Sequence, residues 1–124
     1  MVEVTVRFRV WVEIDGQHLI GPGGYEILKA IDEAGSLSGA ARKLGMSYRF
    51  VWNYVNRMEK VSGIKLVETN RGSRGGARLT REAQQIIQYY EGLMRELENA
   101  SARWGGLIRE VLEKSRNRSQ TLKY

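Results

Sequence analysis

Ser47 to Met58 sets hydrogen-bonding and aromatic side chains around an apolar stripe. Val51, Val55 and Met58 recur at helical spacing and predict one buried face. Tyr48, Arg49, Trp52, Asn53, Asn56 and Arg57 then fall on the opposite face. Those side chains suit the edges of nucleic-acid bases. Arg forks onto guanine, Asn pairs with adenine, and an aromatic edge meets a thymine methyl or a sugar. Each good bidentate pair is worth roughly 1–3 kcal/mol of discrimination. Ser47, at the expected start of this helix, combines a capping hydroxyl with backbone N–H groups that can face a phosphate. Ser36 and Ser38, at the start of the helix before it, belong to the same candidate set. Arg71, Ser73, Arg74 and Arg78 form a second group, interleaved with glycines. Neither a G-x-x-x-x-G-K-[ST] nor a post-strand G-x-G-x-x-G pattern accompanies them, so the expected role is phosphate or minor-groove contact rather than a nucleotide cradle.

The charge distribution supports that reading. Of 124 residues, 20 are Lys or Arg and 14 Asp or Glu, a net of +6. Residues 36–81 hold ten basic and two acidic side chains, a net of +8, so the flanks together carry −2. A basic block between nearly neutral flanks is the electrostatic footprint of phosphate binding. Other chemistries lack their parts. The sequence has no cysteine and one histidine, His18, so no thiolate or His-rich metal centre is expected, and no cofactor. Adjacent carboxylates such as Asp32 and Glu33 point apart on a helix, and no nucleophile with its base can be assembled around His18; the protein is not expected to be an enzyme. No apolar run approaches the length of a membrane span, and the alternating N-terminus is unlike a signal peptide. A cytoplasmic, nucleoid-associated location is therefore expected.

The elements that must position these residues are readable in outline. Residues 2–14 alternate apolar and polar, which predicts a half-buried strand. Asp15-Gly16 predicts a tight hairpin turn and Gln17–Ile20 the return strand. Pro22 suits a helix's first turn; Ile27, Leu28, Ile31 and Ala34 repeat at helical spacing, with Gly35 as the stop. Ser36 begins a short helix carrying Leu37, Ala40, Ala41 and Leu44, and Gly45 ends it. Because Gly45 permits a sharp turn, the third helix crosses the second and its first turn stands free to enter the major groove. Ile64–Thr69 and Ala77–Leu79 read as strands flanking the arginine-glycine segment. Thr80 caps a long helix in which Ala83, Ile86, Tyr90, Leu93, Leu97, Ala100, Trp104, Leu107 and Val111 follow 3-4 spacing, a coiled-coil seam. Gly105-Gly106 is expected to kink, fray or end it. The fold expected is α+β: a winged helix-turn-helix with an N-terminal β-hairpin and a long C-terminal dimerisation helix. Its parts are a DNA-binding domain over 1–81, a dimerisation helix over 82–113, and a basic, disordered tail over 114–124. Ile86, Tyr90, Leu93, Leu97 and Trp104 are the expected dimer interface, since pairing would remove them from water.

Leu28 to Asn53, reading LKAIDEAGSLSGAARKLGMSYRFVWN, resembles the DNA-binding domain of the ModE-type molybdate-responsive regulators, which is itself similar to the LysR-type winged helix. The family's Ile-Ser-Tyr-Lys-x-x-Trp pattern corresponds here to Met46-Ser47-Tyr48-Arg49 with Trp52. Leu66-Val67-Glu68, the glycine-rich wing, Leu79-Thr80-Arg81 and the N-terminal hairpin extend the resemblance over about residues 2–100. It implies a transcriptional regulator that dimerises through long terminal helices and contacts double-stranded DNA through Ser47, Tyr48, Arg49 and Trp52. Family members continue into oxyanion-binding modules. Nothing up to Tyr124 resembles one, so no molybdate site is expected and the chain reads as a stand-alone form. Two other readings use the same surface: a sequence-indifferent nucleoid or chromatin protein, and a module that docks another protein.

Overall fold

The computed structural model describes residues 2–70 and 75–122, with side chains through Ser119. Two compact units emerge: Arg9–Glu91, and segment 2–8 together with the chain from Gly92 onward.

In the first unit, β1 (Val12–Ile14) and β2 (Gln17–Ile20) form an antiparallel hairpin, with Ile14 opposite Gln17 and a register shift between Val12 and Glu13. Asp15 and Gly16 take φ of 49° and 80°, the positive pair that a type I′ turn demands. Helix α1 (Pro22–Ala34) starts on its proline, and α2 (Leu37–Leu44) starts on Ser36, whose Oγ accepts from Gly39 N–H at 2.9 Å. Gly45 then adopts φ 66°, turning the chain into α3 (Tyr48–Ser62). β3 (Val67–Thr69) pairs antiparallel with β4 (Ala77–Leu79), Glu68 opposite Arg78. Thr80 closes the wing: its Oγ1 donates to Lys65 O at 2.9 Å and accepts from Ala83 N–H at 3.2 Å, capping α4 (Arg81–Leu122).

The core lies between the three short helices, β2 and the wing strands. Ile27, Ile31, Ala40, Val51 and Ala83 are wholly buried, and Ile20, Leu28, Met58 and Leu66 nearly so. Each aliphatic side chain of Val, Leu or Ile size hidden in this way contributes roughly 1.5–3 kcal/mol. Glu59 joins α3 to the wing, its Oε2 accepting from Leu66 N–H at 2.8 Å and Val67 N–H at 3.1 Å.

The second unit contains a single long helix segment and residues 2–8. Here the structure departs from expectation. Only Val12–Ile14 of the alternating stretch 2–14 is strand, because residues 2–11 have no neighbouring strand among the described residues. The helix runs unbroken through Gly105-Gly106 and continues over 114–122, where a disordered tail was expected. Gly105 is buried, and a Cβ placed on it would lie 3.1 Å from Val6 Cγ2, so the glycine is a notch for Val6. Van der Waals packing at that notch offsets the roughly 1 kcal/mol that glycine costs a helix relative to alanine.

Candidate nucleic-acid interface

Ser47 starts α3 as expected, its Oγ accepting from Phe50 N–H at 3.1 Å. From that fixed start, the spacing of Val51, Val55 and Met58 sets the helix's rotation, and all three are at most 5% exposed. Tyr48, Arg49, Trp52, Asn53 and Arg57 consequently emerge into solvent. Tyr48 is 53% exposed and Trp52 50%, so the indole is not spent on packing against α1. Arg57 is held rather than free: its guanidinium carbon sits 4.6 Å from the Tyr54 ring centroid, a cation–π contact that keeps the charge beside the face. Asn56 departs from expectation. It is half-buried, and its Nδ2 is enclosed without a hydrogen-bond partner among the described residues. It lies on the flank between the two faces, since a residue one step past Val55 turns only partly away from the core.

Ser36 is half-buried by its capping role, whereas Ser38 is exposed on the first turn of α2. Arg78 is exposed on β4 and pairs with Glu68 at 3.2 Å. Arg71, Ser73 and Arg74 lie outside the described residues. Across the basic block, Lys43 pairs with Glu33, and Lys65 with Glu59 at 3.7 Å. The Lys43 hydrogen bond, then its charge, holds the Glu33 carboxyl below its usual range. Arg42, Arg49, Lys60 and Arg81 have no ion-pair partner among the described residues, which leaves their charge available to an anion. Phe50 was not singled out in the sequence, yet it is 49% exposed and leans on Tyr54 with ring centroids 5.9 Å apart. Its signal was an aromatic residue off the apolar stripe.

The expected dimer residues divide. Tyr90 is 5% exposed: its OH donates to Val10 O at 3.0 Å, and its ring lies 5.3 Å from that of Tyr25. Burial pushes the Tyr90 phenol up. Burial first, then the hydrogen bond to Glu91, pushes the Tyr25 phenol up to about 12. Tyr90 is thus occupied within its own unit, and Ile86 is half-buried against the same core. Leu97 is half-buried, while Leu93 is 40% and Trp104 58% exposed.

Residues 24–84 match the family described as bacterial regulatory helix-turn-helix protein, lysR family. The chain carries a LysR-type helix-turn-helix domain. Among curated relatives, the transcriptional regulator ModE of Haemophilus influenzae is 36% identical over 83 residues, which is 65% of this chain and 32% of that protein. The DNA-binding transcriptional dual regulator ModE of Escherichia coli K12 is 40% identical over 72 residues, 56% of this chain and 28% of that one. The matched part thus spans about a third or less of these relatives' length. Among solved structures, the BenM DBD in its benA site 1 DNA complex superposes with a TM-score of 0.51 and 27% identity, over 63% of this chain and 84% of that one. The CbnR DBD of a DNA complex gives 0.53 at 21% identity, over 65% and 90%, a likeness of fold. The LysR-type domain therefore contains α1, α2, α3 and the wing, and its outward α3 face is the surface described above. Among the described residues no helix is long and apolar enough to cross a membrane.

Proposed function

We infer that the protein is a sequence-specific, double-stranded-DNA-binding transcriptional regulator acting as a homodimer, and not an enzyme. The observation that carries this reading is the rotation of α3. Its apolar face is anchored inward, leaving Arg49 and Asn53 exposed beside Tyr48 and Trp52. In this reading the first turns of α3 enter the major groove, where Arg and Asn make bidentate base contacts. Arg42, Lys60 and Arg81, together with wing residues Arg71, Ser73, Arg74 and Arg78, meet phosphates or the minor groove and set register without reading sequence. The ModE relatives and the DNA complex of the BenM domain support both the partner and the regulatory role.

Selection of bound duplexes from a random pool tests the proposal. A homodimer with this face yields a preferred inverted repeat, its half-sites one or more helical turns apart, and a preference that survives added salt. Uniform binding that fades steeply with salt would replace it with a sequence-indifferent DNA-binding protein. Absence of binding to any duplex at low salt would favour a protein-docking module.

A further inference from the structure

Segment 2–8 has a sequence that complements itself, and the backbone groups of residues 3–8 have no hydrogen-bond partner among the described residues. We propose that two copies of the chain pair these segments antiparallel across a two-fold axis, with Thr5 opposite Thr5. The proposal rests on the homodimer reading above and specifies which element joins the copies.

Three observations carry it. First, the segment is drawn out along the helix without a strand partner among the described residues. Val2 N–H donates to Glu113 Oε1 at 3.4 Å, while Val6 fills the notch at Gly105. Eight helical residues separate those anchors, about 12 Å of rise, and four residues span that distance only when drawn out to about 3.3 Å each. Beyond Val2, the N–H and C=O groups of residues 3–8 make no hydrogen bond with any described residue. A strand edge of this kind is a template for another strand.

Second, the pairing is chemically matched at every position. With the axis at Thr5, Glu3 faces Arg7 of the other copy, Val4 faces Val6, and Val2 faces Phe8. Opposite charges, paired hydroxyls and apolar partners are the cross-strand combinations that stabilise an antiparallel ladder. A two-fold interface makes each of these matches twice, apart from the Thr5 pair on the axis.

Third, the same unit cannot bury its own apolar surface. Val6 and Phe8 are each 40% exposed, and on α4 Trp104, Leu107, Ile108, Val111 and Leu112 are 42–67% exposed. One strand and one helix cannot enclose a core, so a second copy of the same pair is the occupant that fits. A groove of about 440 Å³ between the segment and the helix, lined by Val4, Val6, Phe8, Ala102 and Gly105 among others, has room for side chains of that copy.

Charge exchange in the full chain tests the pairing, read by sedimentation equilibrium. Glu3→Arg and Arg7→Glu each set like charges opposite one another twice, and each is expected to weaken the dimer about tenfold. The double variant restores opposite charges and is expected to return within about threefold of the parent. A disulfide gives a second readout, because the chain has no cysteine. Thr5→Cys places two thiols across a pair whose Cα atoms stand about 4.5–5.5 Å apart, within disulfide reach, and is expected to link rapidly under mild oxidation. Glu3→Cys would set its thiols about 13 Å apart and should link far more slowly. A chain that stays dimeric, with no rescue by the double variant and no preference for Thr5→Cys, overturns the strand pairing alone. A parent chain that is monomeric at micromolar concentration overturns both the pairing and the homodimer.

Discussion

The two units of this protein differ in how they dispose of apolar surface. Arg9–Glu91 keeps every buried hydrophobic residue of the described core, from Leu19 to Tyr90, and three elements of α structure close around two small hairpins. Its large exposed hydrophobics include Tyr48, Phe50 and Trp52, gathered on the outward face of α3. The helix from Gly92 onward and segment 2–8 contain none of that core. The contrast separates two uses of exposed apolar area. On α3 it accompanies Arg and Asn and suits a polar, patterned partner. On α4 it is nearly continuous and suits a surface like itself.

Substitutions sharpen this contrast. Replacing wholly buried Ile31 by Ala is expected to cost about 2–5 kcal/mol of unfolding free energy in a urea titration, through lost burial and the cavity left behind. Val111→Ala, at a site 67% exposed, is expected to change monomer stability by less than about 0.5 kcal/mol when measured at high dilution. Comparable losses at both sites would abolish the distinction between a self-sufficient unit and an incomplete one. Leu107→Ser combined with Val111→Ser is expected to weaken self-association by tenfold or more, about 1.4 kcal/mol, while leaving the far-ultraviolet helix signal of Arg9–Glu91 intact. An unchanged association constant would mean that this face is not what pairs.

Ser47→Ala removes the cap of α3 and is expected to cost roughly 1 kcal/mol in the same urea titration. Because the cap also fixes where the outward face begins, DNA affinity should fall alongside stability. The smallest effect expected is on pH dependence. The Tyr25 phenol, raised to about 12 from 10, favours the folded state while protonated. Its contribution is present below pH 10 and is lost as pH rises towards 12. Tyr25→Phe should therefore flatten the alkaline fall in stability; an identical slope would show that the Tyr25 phenol carries no such linkage.

Much of the first unit was legible because local chemistry and long-range packing agree there. Ser36 and Ser47 cap the helices expected of them, Gly35 and Gly45 end helices in left-handed geometry, and Asp15-Gly16 turns the hairpin. The stripe of Val51, Val55 and Met58 also fixed the outward face of α3 in advance. Asn56 escaped because spacing alone does not resolve a flank from a face. Along α4 the expected seam put Ile86 at the dimer interface, whereas Ile86 is half-buried against the core of its own unit and Ile87 is 5% exposed. A heptad drifts about 20° from a straight helix over seven residues, and packing against a single globular core follows the helix's own period. Gly105-Gly106 looked like a break because the sequence does not show that Val6 will lie against it. Residues 2–11 look like a strand, but a strand is completed by a neighbour, and the described residues supply none there.

The central claim, that the outward face of α3 reads bases, is tested most directly by a titration at fixed salt. Arg49→Ala/Asn53→Ala and the parent are compared on the best duplex from the random-pool selection and on a random duplex. The expected result is a loss of about 1–3 kcal/mol per residue on the selected duplex, a much smaller loss on the random one, and an unchanged urea midpoint. Equal losses on both duplexes, or none on either, would contradict it.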